Sequence, residues 1–203
     1  MPSLPHEFVV AAFRNRPDMG LDLTNRLGVK LPKYTAISVA DSNLSQVVPT
    51  EYRADIVLRL EKNGEVVASF VVEAQRDTVA VKKYSWPQYL AAERERSRAP
   101  TWVVVVASNE RVAKWARKPI DVGGGVVRPV VVGPGDIPRV TTREEALRSA
   151  ELAVLSLLAH WNEEGTDRML RVTLEAIAHL GEASLDRAVL YFEYADVTIG
   201  PDL

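Results

Sequence analysis

The sequence predicts an α/β fold, in which a mixed sheet is flanked by helices on both faces and followed by a helical C-terminal part. Two stretches with strand character, ADIVLRLE at 54–61 and VVASFVVEAQ at 66–75, are separated by the turn signal Asn63-Gly64 and therefore predict a hairpin. The run TWVVVVAS at 101–108 is β-branched and apolar, which is typical of an interior strand covered on both faces. From Thr142 onward the apolar residues recur at helical spacing. This order of elements favours an α/β core with helices appended.

The composition limits the classes of function. With 203 residues, 47% hydrophobic and 26% charged, the chain is long enough for one domain with a substantial core. A net charge of −2 gives no overall nucleic-acid signature, so DNA binding would need a local basic patch. The absence of cysteine excludes disulfides, thiolate zinc sites and cysteine nucleophiles. Because MPSLPHEFVV lacks signal-peptide features and no apolar run is of bilayer length, we expect a cytoplasmic protein with no membrane partner.

Three elements are predicted before the hairpin. The apolar residues from Phe8 to Phe13 lie at helical spacing and predict a helix over 6–15. A second helix is expected to end near Gly28, and TAISVA at 35–40 is compatible with a short strand.

After the hairpin, helices and strands alternate. Ser85-Trp86-Pro87-Gln88 is compatible with a capping box that opens a helix to about Ser97. A short helix over 109–117 and a strand over 126–132 are expected to follow the buried strand.

The C-terminal part is predicted to be helical throughout. Thr142 is expected to cap a helix that runs to about Trp161, Thr166 opens a second helix that stops at Gly181, and Ser184 opens a third. We therefore divide the chain into an α/β core over 1–140 and a helical extension over 141–203 that packs on the core.

The hydrophobic pattern of the hairpin predicts its register. The even-numbered residues of both strands are apolar, whereas the odd-numbered residues include Asp55, Glu73 and Gln75. Directly opposed residues share a face, so even must oppose even, and the two apolar faces should be buried together. A strict two-residue turn would break this match, so we expect a three-residue loop, 62–64, with Gly64 at positive φ. This register opposes 55 to 71 and places Asp55 diagonal to Glu73 on one face.

Asp55, Glu73 and Gln75 form a predicted cluster of oxygen ligands. A buried carboxylate is costly unless it is paired or holds a metal. Mg²⁺ usually takes one or two carboxylates together with waters and substrate phosphate. The cluster therefore suits Mg²⁺, with Mn²⁺ or Ca²⁺ as substitutes. The alternative is that these are rim residues where the strands emerge into solvent, with Glu73 paired to Arg53 or Arg76.

These residues carry a resemblance to a known family. Asp55 at the start of one strand and Glu73-Ala74-Gln75 at the end of the next, followed by a helix and a buried strand, resemble the PD-(D/E)XK nuclease superfamily. The stretches PTEYRAD (49–55), VVEAQ (71–75) and KKYSWPQYLAA (82–92) are similar to a bacterial branch related to recombination-promoting nuclease and transposase-like proteins. The resemblance covers roughly residues 1–160 and implies a restriction-endonuclease-like αβββαβ core.

The resemblance implies roles for individual residues. Asp55 and Glu73 would be metal ligands, and with Gln75 they would form the catalytic set. Gln75 stands where many members have a lysine that orients the attacking water and offsets developing charge. An amide can orient water but supplies no positive charge, although related branches also use glutamine here. Glu7 matches the position at which some members add a carboxylate.

A basic segment follows the acidic cluster. Residues 76–98 contain six lysines and arginines against three carboxylates, a local charge of +3. We expect Arg76, Lys82 and Lys83 to contact the phosphodiester backbone of DNA, with Lys83 and Tyr84 nearest the site. The alternative, which the Glu–Arg pairs of 93–98 favour, is a solvated helix face.

Two functions therefore remain open. The first is a Mg²⁺-dependent endodeoxyribonuclease, and the alternative is a catalytically degenerate module that binds DNA or a protein partner without cleavage. A third hypothesis is an interaction domain whose polar strand ends are simply surface residues. A homo-oligomer is compatible with all three hypotheses.

Overall fold

The computed structural model describes residues 18, 26, 35–39, 54–161 and 163–199. The chain divides into two compact units, Met1–Thr50 and Glu51–Leu203. In the first unit Asp18 and Arg26 are helical, and 35–39 are exposed without forming a strand, so the strand predicted over 35–40 is wrong for these residues. The helix predicted over 6–15, with Glu7 on it, lies outside the described residues.

The second unit is built on a mixed sheet. Its strands are β1 Ile56–Lys62, β2 Glu65–Gln75, β3 Thr101–Ala107, β4 Ile120–Asp121, β5 Val126–Val127 and β6 Val130–Val132. The main sheet has the order β1-β2-β3-β6; the first pair is antiparallel, and the other two pairs are parallel. The prediction that 101–107 is an interior strand is confirmed, because β3 lies between β2 and β6.

The helices of this unit are α1 Lys82–Ser97, α2 Glu110–Ala116, α3 Arg143–Arg148, α4 Ala150–His160, α5 Thr166–Ala183 and α6 Leu185–Ile199. None of these helices combines the length and the apolar character needed to cross a lipid bilayer.

The hairpin confirms the predicted sharing of faces but not the predicted loop. Lys62 pairs with Glu65 across a two-residue turn in which Asn63 (φ 54°) and Gly64 (φ 83°) are both left-handed, the requirement of a type I′ turn. The compensating bulge lies within β2, where Val67 is skipped between the pairs Leu60–Ala68 and Glu61–Val66. Even-numbered residues then oppose even-numbered ones, with Ile56 opposite Val72. Residue 71 faces Val57 rather than Asp55, so the predicted pairing is wrong by two residues.

Gly64 provides a test of this turn. An added Cβ would meet no atom within 4 Å, so Gly64→Ala changes only the backbone preference at φ +83°. We expect the free energy of unfolding to fall by about 1–2 kcal/mol, the usual cost of a left-handed alanine, as measured by urea denaturation. Gly124→Ala is the matched control, because it also meets no atom within 4 Å and needs no left-handed backbone. Equal losses in the two variants would contradict the assigned turn.

The sheet buries the face opposite to the one predicted. The even-numbered face was expected to be buried, but Ile56, Leu58 and Leu60 are each more than half exposed. The buried face is the odd-numbered one, which includes Val71 and Glu73 of β2 and Val103 and Val105 of β3. Helices α1 and α2 cover this face through Trp86, Val112 and Ala116. Among the described residues, the expected helical cover is therefore found on one face of the sheet.

Helix α1 begins before its predicted start. It opens at Lys82, with Val81 at the N-cap and Pro87 in its interior, so the predicted capping box at Ser85 is wrong. The Ser85 hydroxyl is buried and meets no hydrogen-bond partner within the described ranges. The turn formed by the Lys82, Lys83 and Tyr84 amides with the carbonyls of 79–81 starts the helix one turn earlier.

The strand predicted over 126–132 is divided into two. Val126–Val127 pairs with β4 in a separate two-stranded sheet, and Val130–Val132 joins the main sheet beside β3. Arg128 and Pro129 lie between them, and proline has no N–H to donate to a ladder.

The C-terminal helices pack on one another. Thr142 caps α3 as predicted, since its side chain accepts from the Glu145 N–H. The single helix predicted from there to Trp161 is interrupted at Ser149, whose hydroxyl accepts from the Leu152 N–H and starts α4. Helix α5 continues past its predicted end at Gly181 to Ala183, and α6 follows Ser184 as predicted.

Candidate functional site

The candidate site lies where β2 ends beside the interior strand β3. Glu73 pairs in register with Val105, and Gln75 pairs with Ala107. Since side chains alternate along a strand, both residues project from the odd-numbered face that α1 covers. Glu73 is only 2% exposed and Gln75 is 7% exposed. Two polar side chains are thus held inside an apolar layer at the carboxyl end of a strand.

The Glu73 carboxylate is incompletely satisfied. One of its oxygens, Oε2, forms an ion pair and hydrogen bond with the Lys82 ammonium. The other oxygen, Oε1, is buried and has no hydrogen-bond partner in the part of the chain that the structure describes. Leaving a buried acceptor unpaired costs about 1–3 kcal/mol and more for a charged group, so this oxygen is the part of the site whose polar state needs an explanation.

Lys82 reaches this site because of where α1 begins. It is the first residue of the helix, and its side chain is 22% exposed. Along α1 the residues Lys82, Trp86, Tyr89 and Glu93 recur at helical spacing and share one face. The sequence predicted a helix start at Ser85 and a contact between Lys82 and DNA. The structure instead points it at Glu73, and the spacing of Lys82 from Trp86 and Glu93 was the available signal.

A second ion pair holds the other end of the same helix face. The Arg59 guanidinium on β1 donates two hydrogen bonds to the Glu93 carboxylate, from Nε to Oε1 at 2.8 Å and from Nη2 to Oε2 at 3.1 Å. The hydrogen bonds from Arg59 lower the pKa of Glu93 below its usual value, against the opposing effect of burial. Helix α1 is therefore fixed on the sheet by charge at both ends and by Trp86 between them.

Asp55 directly precedes β1, at the end of the hairpin where β2 finishes. It directly precedes Ile56, which pairs with Val72, so continuing the ladder sets Asp55 across from Glu73. Its Oδ2 accepts a hydrogen bond of 2.8 Å from the Ala74 N–H, which fixes the carboxylate against the end of β2. The side chain is exposed, unlike that of Glu73. The predicted meeting of the two carboxylates thus rests on the register and on this hydrogen bond.

Gln75 is tied to the loop that follows β2. Its Nε2 donates a hydrogen bond of 2.6 Å to the Asp77 carbonyl. The Asp77 carboxylate in turn accepts from Arg111 at 2.8 Å, and this hydrogen bond, with a further one from the Thr78 N–H, lowers the pKa of Asp77. One of the two N–H donors of the Gln75 amide is therefore engaged by the backbone.

Three further residues of the predicted site lie on the surface, near the end of β2 and the start of α1. Arg76, Lys83 and Tyr84 are exposed, and the Lys83 ammonium lies 4.8 Å from the centroid of the Tyr84 ring. Arg76 does not pair with Glu73, and Arg53 lies outside the described residues, so the partner of Glu73 found here is one that the sequence did not suggest.

A divalent cation fits part of this donor set. Within 54–161 and 163–199, no three His, Asp or Glu side chains are grouped as a metal site would require. Asp55 and Glu73 supply two carboxylates, which is the number that Mg²⁺ commonly takes from a protein. The unpartnered Oε1 of Glu73 supports a ligand at this point, whereas the Lys82 ammonium already neutralises the other oxygen.

No protein-family model, curated protein or solved structure matches this chain.

Proposed function

We propose that this protein is a metal-dependent nuclease that cleaves DNA phosphodiester bonds, with Asp55 and Glu73 binding Mg²⁺ and Gln75 orienting water. The observation that supports it most is the Glu73 carboxylate, which is 2% exposed and has one oxygen without a partner in the described chain. A fold does not keep a half-satisfied buried carboxylate for stability, because well-packed apolar residues would serve at least as well. The group is better explained by a ligand.

The contacts of each residue in the site indicate the role that it would have in the reaction. When bound, a divalent cation lowers the pKa of a coordinated water and stabilises charge on the phosphoryl oxygens. Asp55 and Glu73 are the two carboxylates that would hold it, and Mn²⁺ or Ca²⁺ would suit the same oxygens. Lys82 brings to this site the positive charge that a glutamine at position 75 lacks, since its ammonium contacts Glu73. The Gln75 side chain retains a carbonyl oxygen to accept from water.

The exposed basic residues near the end of β2 and the start of α1 support DNA as the substrate. Arg76 and Lys83 are exposed near the end of β2 and the start of α1, where they would contact the phosphates of a strand bound over this end of the sheet. Such contacts are independent of base sequence and weaken as salt rises. They therefore support binding of the backbone without indicating a recognition sequence.

One observation favours the alternative, a catalytically degenerate module that binds DNA or a protein partner without cleavage. The Lys82 ammonium takes the place of a cation at one Glu73 oxygen, and one N–H of the Gln75 amide donates to the Asp77 carbonyl. In that case the ion pair would be a structural remnant that fixes α1 on the sheet.

Plasmid cleavage separates the two. Purified protein is incubated with supercoiled plasmid in Mg²⁺, Mn²⁺ or Ca²⁺, with EDTA and an Asp55→Ala variant as controls. We expect nicked or linear products with Mg²⁺ or Mn²⁺ and none with EDTA or in the variant. Retarded but uncut DNA would support the degenerate module, and products that persist in EDTA would contradict a metal-dependent reaction.

A further inference from the structure

A cavity adjoins the candidate site on the other side of the first turn of α1. It has a volume of about 760 Å³ and lies between α1, the end of α2 and the strand β4. This volume is within the range of about 300–1,000 Å³ that is typical of sites for small organic ligands. Lys82 points to Glu73, whereas the next residues, Lys83 and Tyr84, line the cavity, so the two sites share one helical turn.

The lining combines aromatic rings with cations. Tyr84 is 65% exposed at the rim, and Trp115 lines the wall, where its ring packs on that of Trp86 at a centroid distance of 5.3 Å. Lys83 and Lys118 supply two positive charges against the single carboxylate of Asp121. Flat apolar surfaces beside a net positive charge complement a ligand that is planar at one end and anionic at the other.

We infer that this cavity binds a nucleobase joined to a phosphate, with the base against Tyr84 and Trp115 and the phosphate near Lys83 and Lys118. The inference rests on the proposed function, which makes a DNA strand the source of such a group. It adds that the strand is single-stranded or locally unpaired at this point, because a base inside a duplex has no free face to stack on a side chain. A free nucleotide has the same chemistry.

Binding is measured in EDTA, so that no cleavage is needed for the readout. The probe is a twelve-residue single-stranded deoxyoligonucleotide with 2-aminopurine near its centre, titrated with the full chain. The comparison strand carries an abasic unit at the same place. We expect the abasic strand to bind about tenfold or more weakly, since stacking of one base on aromatic side chains has at least this effect.

Two variants locate the contact. Tyr84→Ala removes an exposed ring, so folding should be preserved, and we expect binding of the intact strand to weaken about tenfold while the abasic strand is unaffected. Lys118→Glu reverses a rim charge and should weaken both strands. Lys114→Glu is its matched control, an exposed lysine one turn earlier on α2 that does not line the cavity, and it should retain wild-type binding.

Competition with deoxyadenosine monophosphate identifies the source of the ligand. Displacement at micromolar concentration assigns a free nucleotide, and its failure assigns a unit of a strand. Equal binding of the intact and abasic strands, or no effect of Tyr84→Ala, overturns the inference even if Mg²⁺-dependent cleavage is present. Base-dependent binding without cleavage in Mg²⁺ would support the nucleotide-binding cavity and contradict the proposed nuclease function.

Discussion

Replacing Glu73 with glutamine is expected to abolish metal-dependent DNA cleavage and to leave the fold intact. The substitution keeps the size of a side chain that is 2% exposed but removes the charge that would hold the cation. Loss of one preorganised electrostatic group commonly lowers a catalytic rate by about 10²–10³-fold, and loss of a metal ligand should have at least that effect. Plasmid cleavage in Mg²⁺ measures the rate, and calorimetric titration with Mn²⁺ measures the accompanying loss of cation binding.

Stability should change little in Glu73→Gln. The variant loses the ion pair with Lys82, but that lysine is 22% exposed and can recover water, and the buried charge itself is removed. We expect a loss of about 1 kcal/mol, the net contribution of a typical hydrogen bond, which corresponds to a few degrees in Tm for a chain of this size. Glu95→Gln, an exposed change on α1, is the matched control and should cleave like the wild type. Unchanged cleavage in folded Glu73→Gln would exclude Glu73 from the reaction.

The hairpin shows which features of a strand pair the alternation of apolar and polar residues can predict and which it cannot. The apolar pattern correctly required even residues to oppose even ones, because a slip of one residue moves every side chain to the other face. The pattern does not say where the extra residue is inserted. It was predicted in the loop, but Asn63 and Gly64 both adopt left-handed conformations that suit a two-residue turn, so the insertion moved to Val67.

Which face of the sheet is buried depends on α1, a helix outside the strands. Ile56, Leu58 and Leu60 made the even-numbered face the more apolar one, yet α1 packs on the odd-numbered face. There Lys82 pairs with Glu73, and Arg59 pairs with Glu93, so each of the two buried carboxylates has a positive charge beside it. This charge matching is visible only once the helix is known to begin at Lys82, three residues before the predicted cap.

The candidate site was accordingly predicted in part. Asp55, Glu73 and Gln75 could be grouped from the sequence because they depend only on strand parity. Lys82 could not, since its side chain reaches Glu73 through the docking of a helix rather than through a ladder. The cavity beside Tyr84 was also missed, because Trp115 and Lys118 come from a later element and no spacing relates them to α1.

Replacing Trp86 with alanine is expected to cause the largest loss of stability among single changes in the sheet layer. Trp86 is 2% exposed and packs against Val103, Val105 and Trp115 between the two ion pairs of α1. Truncating a buried aromatic residue to alanine typically costs about 3–5 kcal/mol, through lost burial and the cavity left behind. That is a large share of a typical free energy of unfolding of about 5–15 kcal/mol. Urea denaturation at neutral pH measures the change.

Trp102→Ala is the matched comparison for the two faces of the sheet. Trp102 lies on the even-numbered face of β3, stacks on Phe70 at a centroid distance of 5.4 Å and is 40% exposed. Its truncation should cost about 1–2 kcal/mol, because much of its surface is already in water and little cavity is created. Trp86→Phe should cost less than Trp86→Ala, since it keeps a buried ring and removes an indole N–H that has no acceptor among the described residues. If Trp102→Ala proved as damaging as Trp86→Ala, the even-numbered face would be part of the core, and the assignment of α1 and α2 as the main cover of the sheet would be wrong.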